Sequence, residues 1–282
     1  MPKHVRVLLR VVAIRVLLVA IAAQLRARRL ARGPETCPVS SNRIAPDTVT
    51  VRPSTFRVLV FIRHAGYEHR SIPAAIAAIH TLGARAGFTT LPAEDPGVFA
   101  DKVLRSFAAV IFVNTTGDIL DTAQKAAVER YIRAGGGFVG VHSAMDTEHG
   151  WAWYHRLLGA DFLRHPRVQP ATLLLANPSD PLSPAAPRPW RRTDEWYDFR
   201  ATPESVTVLV RVDETTYRGG GMGESHPVSW YHPFDGGRAW YTAMGHTTCS
   251  YSEEPFLDHL LAGIRYAAGG GAGEADRDRA QP

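Results

Sequence analysis

Between residues 56 and 142 the chain alternates short unbroken apolar runs with amphipathic stretches, and this alternation restricts the fold more than any other feature. "FRVLVFI" (56–62), "AAVIFVN" (108–114) and "GFVGVH" (137–142) have strand length and the continuous apolarity of strands buried on both faces. "FTTL" (88–91) is a further candidate strand. "SIPAAIAAIHTLGARAG" (71–87) reads as a helix with Ser71 as cap, Pro73 in the first turn and Gly87 as stop. "DPGVFADKVLRSF" (95–107) predicts a short helix capped by Asp95, and "DTAQKAAVERYIRAGGG" (121–137) an amphipathic helix with a glycine stop. Apolar strands alternating with helices build a parallel α/β sheet with right-handed crossovers. Ligands of such sheets bind outside the carboxyl ends of the strands.

The second half is patterned differently. "WAWYHRLLG" (151–159) predicts a short helix, and "PSDPLSPAAPRPW" (178–190) is too rich in proline for anything but loop. "VQPATLLLAN" (168–177), "EWYDFR" (195–200), "SVTVLVRV" (205–212), "HPVSWYHP" (226–233) and "GRAWYTAMG" (237–245) read as strands, the last two joined as a hairpin through "DGG". "EPFLDHLLAGIRYAA" (254–268) closes the domain as a helix. These elements extend the same sheet as a β-rich insertion. The expected organisation is a leader and linker over 1–54, one domain over 55–268 and a disordered tail over 269–282.

The formal charge of +5 belongs to the leader. Eight basic residues, from Lys3 to Arg32, precede the first acid, Glu35. Without them 24 basic residues face 27 acidic ones, so the body carries −3 and offers no nucleic-acid surface. The stretch 5–25 is mostly apolar, but Arg10 and Arg15 interrupt it, and a central Arg costs about 2.5–3.5 kcal/mol on insertion scales. Three readings stay open: a signal or anchor segment, a basic amphipathic helix on a membrane surface, or upstream sequence from a misassigned start. The last is preferred and makes the protein cytoplasmic; the others make it exported or anchored, with membrane contact confined to 5–32. Cys37 and Cys249 show no zinc-ligand spacing, and the Pro- and Ser-containing flank of Cys37 argues against a structural disulfide.

The strand-end rule selects the residues for chemistry. "GGGFVGVHSAMD" (135–146) places His142 where many α/β enzymes carry a Ser or Cys nucleophile. A histidine there suits general acid or base work; the plain alternative is a hydrogen-bonded core histidine. Ser143 is off the centre of the elbow pattern and is not expected to be the nucleophile. His69 precedes a helix start, and Asn114, Thr115 and Thr116 offer short polar groups to a hydroxylated ligand, unless they are simple loop residues. Glu195, beside Trp196 and Tyr197, combines a carboxylate with ring faces as sugar sites do. His226 and His246 reach the same pocket if the hairpin folds over the end of the sheet. His69, His142, Asp146, Glu195, His226 and His246 have the chemistry of a divalent-metal site, but no spacing among them is diagnostic.

"FIRHAGYEHRSIPAAI", "VIFVNTTGDIL", "AVERYIRAGGGFVGVHSAMDTE", "WYHRLLGADFLRHP", "RTDEWYDFR", "HPVSWYH" and "YTAMGHTTCSYSEEPFLDHLLAGIRYAAG" occur in one order. This ordered set, spanning roughly residues 55 to 268, resembles the ThuA-like, trehalose-utilisation family. The resemblance implies a flavodoxin-like, class I glutamine amidotransferase-like three-layer α/β sandwich. Those amidotransferases carry Cys at the elbow; His142 there excludes a glutaminase. It also implies a role in disaccharide catabolism around trehalose-type or 3-keto-sugars. The positions matching the family's motifs are His69, Asn114, Thr115, Thr116, His142, Asp146, His165, Glu195, Tyr197, His226 and His246. The expectation is an enzyme with His142, Glu195 and His246 as acid–base groups. Substrate contacts would come from His69, Asn114, Thr115, Thr116, Asp146, Trp151, Tyr197 and His226. The partner is a small-molecule sugar, and a homo-oligomer is compatible with the sequence. The rival reading is a non-catalytic carbohydrate-binding or assembly module; the density of His and acids at the strand ends favours the enzyme.

Overall fold

A computed structural model describes Cys37 and residues 56–269. The readings of the leader, the rest of the linker and the tail beyond 269 lie outside the described residues. In chain order the strands are β1 (Phe56–Phe61), β2 (Phe88–Ala93), β3 (Ala109–Val113), β4 (Gly137–Val141), β5 (Phe162–Arg164) and β6 (Gln169–Leu175). They continue with β7 (Trp190–Asp194), β8 (Asp198–Phe199), β9 (Thr207–Asp213), β10 (Pro227–Phe234) and β11 (Gly237–Thr242). The helices are α1 (Ile72–Ala86), α2 (Asp101–Leu104), α3 (Thr122–Arg133), α4 (Ala152–Leu158) and α5 (Glu254–Ala267). Nine strands form one sheet in the order β2-β1-β3-β4-β11-β10-β9-β6-β7, and β5 pairs with β8 separately. From β2 to β11 neighbours run parallel; from β11 onward they alternate antiparallel. The second half therefore extends the first half's sheet, as its patterning predicts.

β1→β2 and β3→β4 step in opposite directions along the sheet, so right-handed crossovers send α1 and α3 to opposite faces. Alternation along β4 shows both layers. Phe138 packs edge-on against Tyr154 of α4, ring centroids 5.7 Å apart, while a side chain at Gly137 would collide with the Ala267 carbonyl of α5. The reversal of strand order between β1 and β3 marks the switch point, where the crevice of a doubly wound sheet opens. Asp235 and Gly236, at φ 48° and 91°, turn the β10–β11 hairpin with the left-handed backbone such two-residue loops require. Among the described residues, no helix is long and apolar enough to cross a membrane.

Local expectations are refined at four places. Ser71 has helical φ and ψ (−76°, −12°), so its hydroxyl caps nothing; it accepts from Asn114 Nδ2 (2.8 Å) and donates to Gly245 O (3.4 Å). The stretch 95–107 divides into a 3₁₀ turn, Pro96–Val98, and the short α2, with Asp95 Oδ1 accepting from Gly97 N at 2.8 Å. Glu195, Trp196 and Tyr197 connect β7 to β8 instead of forming a strand. Cys37 and Cys249 are disulfide-bonded, against the sequence reading. Flank composition does not report a cysteine's oxidation state. Thiol titration of the unfolded, unreduced chain should find no reactive thiol, and two after reduction, matching the two cysteines present; free thiol before reduction would refute the bond.

His259 of α5 lies under Trp240 (ring centroids 4.8 Å), its Nε2 2.8 Å from Ser229 Oγ. Burial, reinforced by the Arg192 charge, pulls its pKa down to about 3. An unfolded imidazole titrates near ~6.5, so below that pH the unfolded chain binds a proton the folded chain refuses. The stabilisation is complete above pH ~6.5 and declines by about 1.4 kcal/mol per unit as the pH falls toward 3. Urea midpoints measured from about pH 7 to about pH 4 should fall less steeply in His259→Gln than in the wild type; parallel slopes would remove His259 from the acid response.

Candidate active site at the carboxyl ends of the strands

Five segments deliver side chains to one place: His69 after β1, Asn114–Thr116 after β3, His142 after β4, Glu195 and Tyr197 after β7, and His246 after β11. Backbone bridges His64–Thr116 and Gly117–Thr147 tie the first three loops together. His142 begins a 3₁₀ turn and has φ +52°, a left-handed conformation that bends the chain sharply and aims the imidazole across the strand ends.

His142 is fully buried. Its Nδ1 lies 2.7 Å from Ala243 O, which only accepts, so Nδ1 donates there and Nε2 faces the cluster. Around Nε2 stand His246 Nδ1 at 3.1 Å, Tyr197 Oη at 3.2 Å and Glu195 Oε2 at 3.4 Å. Glu195 Oε2 is also 3.3 Å from His246 Nδ1, and the other oxygen, Oε1, is 3.0 Å from His165 Nδ1. Burial works to raise the Glu195 pKa, but bonds to His142, His165 and His246 outweigh it and hold the carboxyl well below its usual range. His165 is raised in return, first by its bond to Glu195. His69 is buried beside the other two imidazoles, ring centroids 4.9 Å from His142 and 5.1 Å from His246. Burial first, then those two neighbours, pull its pKa down to about 2, so it is neutral at ordinary pH. Tyr197, pushed well above the usual phenol range by burial and then by Glu195, stays protonated, its hydroxyl 3.2 Å from His142 Nε2.

The three groups expected to carry proton transfer, His142, Glu195 and His246, thus converge, with His69, His165 and Tyr197 around them. Other candidates do different work. Asn114 Nδ2 bonds Ser71 and Gly245; Thr115 Oγ1 meets Thr147 Oγ1 at 2.9 Å; Thr116 Oγ1 accepts from Gly66 N and donates to Tyr67 O. These buried groups fasten loops to one another. Asp146, half-buried with its pKa raised mainly by burial, faces His149 at 3.4 Å. Trp151 donates to Glu129 and stacks on Trp153 and Tyr154. His226 lies behind the cluster, its Nδ1 2.8 Å from Glu214 Oε1 and its Nε2 2.8 Å from Tyr197 O.

Two contributors escape a reading of the sequence. Asp194 is buried, and its two oxygens accept from the backbone N–H groups of Glu195 (3.0 Å), His246 (3.0 Å) and Gly245 (2.8 Å) while Oδ2 also pairs with Arg192 (3.0 Å). Tyr67 is 54% exposed, its ring 4.8 Å from that of His69 and stacked 6.4 Å from that of His246. An exposed aromatic beside a polar cluster was the available signal, but "GYEHRS" has no periodicity that marks it.

The architecture is that of an amidotransferase-like α/β protein whose elbow carries histidine in place of a thiol or hydroxyl nucleophile. The chain belongs to the ThuA family, described as trehalose utilisation, whose sequence profile matches residues 57–267. It is similar to a ThuA-like protein of Bacteroides uniformis (20% identity, TM-score 0.67, covering 80% of this chain and 95% of that one). A ThuA-like protein of Parabacteroides merdae gives 18% identity and a TM-score of 0.64, covering 78% and 91%. A β-galactosidase of Bacillus circulans sp. alkalophilus shares the fold over 78% of this chain but only 32% of its own (14% identity, TM-score 0.51). No curated protein matches significantly. The family's description supports a sugar-related role.

Proposed function

We propose that the protein is an enzyme of disaccharide breakdown acting on a trehalose-type or 3-keto-sugar, with the proton chemistry centred on His142, Glu195 and His246. The observation that carries this reading is the meeting of His142 Nε2, His246 Nδ1 and Glu195 Oε2 within 3.1–3.4 Å at the carboxyl ends of the strands. An imidazole paired with an ionised carboxylate can exchange a proton with a sugar hydroxyl or with the carbon next to a keto group. Tyr67 supplies the apolar face that a sugar ring's C–H surface needs. The test is product formation by the purified chain from 3-keto-disaccharides and from the parent disaccharides, with and without Mn²⁺ or Zn²⁺. Turnover of one sugar class supports the reading; binding without product would favour a carbohydrate-binding module. Tyr67→Ala should raise KM by about 3–10-fold with kcat nearly unchanged, as loss of a stacking face predicts. An unaltered KM would exclude Tyr67 from the substrate.

A further inference from the structure

Two clusters of metal-ligating side chains occur among the described residues: His69, His142, Glu195 and His246, and separately Asp198, Glu214 and His226. Their electrostatic surroundings differ. The second cluster has its cation built in, since Arg164 Nη2 is 2.8 Å from Asp198 Oδ2. Its other acceptors are served by amides, Gly221 N donating to Asp198 Oδ1 and Met222 N to Glu214 Oε1. In the first cluster every ion pair of Glu195 among the described residues is with an imidazole.

We propose that His69, His142, Glu195 and His246 bind one divalent cation of the zinc type. Ligand spacing is the first argument. Four ligands placed tetrahedrally at about 2.0–2.1 Å from an ion lie about 3.3–3.4 Å from one another. The three edges among His142 Nε2, His246 Nδ1 and Glu195 Oε2 measure 3.1, 3.4 and 3.3 Å, and a ligand atom of His69 lies within 4.8 Å of all three. Ligand orientation is the second. A metal-bound histidine typically fixes its other ring nitrogen on a carbonyl, carboxylate or hydroxyl. His142 Nδ1 does so on Ala243 O, and His69 Nδ1 lies 3.4 Å from Ser143 Oγ. Glu195 keeps Oε2 for the cluster because Oε1 is engaged by His165, and Asp194 clamps the backbone of both Glu195 and His246. Three neutral imidazoles and one carboxylate leave a divalent ion with a net positive charge, suited to polarising a sugar oxygen or activating water. With an ion bound, His142 Nε2, His246 Nδ1 and Glu195 Oε2 would be its ligands, and the proton step would fall to the oxygen or water that the ion polarises; that consequence deepens the sugar reading and rests on it, whereas the binding of the ion does not.

Metal content decides the matter without any turnover. The untagged full chain is stripped with chelator, dialysed separately against Zn²⁺, Co²⁺ and Mn²⁺ and analysed for metal per chain, with thermal unfolding as the fold control. The expected result is one retained Zn²⁺ or Co²⁺ per chain, with a tetrahedral Co²⁺ spectrum in the visible. Glu195→Gln, nearly isosteric, and His142→Ala should lose it by more than the roughly 10–100-fold that removal of an outer hydrogen-bond partner costs. Glu214→Gln, in the second cluster, should retain it. Wild-type protein that holds no stoichiometric ion, folded Glu195→Gln and His142→Ala chains that hold it undiminished, or loss in Glu214→Gln alone would each overturn the assignment. Metal retention without sugar turnover would leave the site standing and remove the substrate; sugar turnover by a chain that retains no ion would do the reverse.

Discussion

Replacing His142 by alanine should lower kcat/KM on the sugar substrate by at least about 10²–10⁴-fold, the usual worth of a positioned proton-transfer group. The same change also carries a folding cost. The left-handed backbone at φ +52° costs alanine no less than the roughly 1–2 kcal/mol the histidine already bears, and the Ala243 carbonyl and the Tyr197 hydroxyl lose their buried partner. Asparagine tolerates the left-handed region better. His142→Asn should therefore sit closer to wild type in urea midpoint than His142→Ala and be equally impaired in turnover. Near-normal turnover in either variant would remove His142 from the reacting centre. Loss that merely tracked stability across the two would assign it a packing role.

Asp194→Ala should destabilise the fold by about 3 kcal/mol, because it removes the nearer carboxylate of the buried Arg192 guanidinium (3.0 Å) and leaves it only the longer pair to Glu253 (3.4 Å). Removing the carboxylate also leaves the N–H groups of Glu195, Gly245 and His246 without their acceptor. Since Glu195 and His246 hang from those amides, activity should fall further than the loss of folded protein explains. Asp194→Asn keeps the shape and one acceptor oxygen but gives up the charge, so it should lie between the two. Chemical denaturation with activity at matched folded fraction separates the effects. A cost below about 1 kcal/mol for Asp194→Ala would show that the Arg192 charge is satisfied elsewhere.

The sheet was legible because its code is local. Buried parallel strands read as unbroken apolar runs such as "AAVIFVN", and their ends locate the crevice before any contact is known. His142 was picked out by that rule, Glu195 by its place beside Trp196 and Tyr197, and His246 by the hairpin expected over the end of the sheet. The distribution of polar duties was not legible, because a hydroxyl or amide does not announce its partner. Asn114, Thr115 and Thr116 sit at the predicted place yet bond the loops around them. His226 follows the β-pattern into the core and serves the backbone of Tyr197. Alternation of aromatic and acidic residues made "EWYDFR" resemble a strand, whereas the same residues form the bend that turns Glu195 and Tyr197 toward the histidines. The clamp by Asp194 was equally hidden, since it depends on segments distant in sequence.

The position of β11 matters for the order in which a ribosome delivers the chain. This strand, the last in chain order among the described residues, lies in the middle of the sheet between β4 and β10. Until residues 237–242 emerge, a nascent chain holds two half-sheets with open edges and no His246 beside His142. Closure of the sheet and completion of the site are then one event, so a chain truncated before β11 should be inactive and prone to edge-to-edge association.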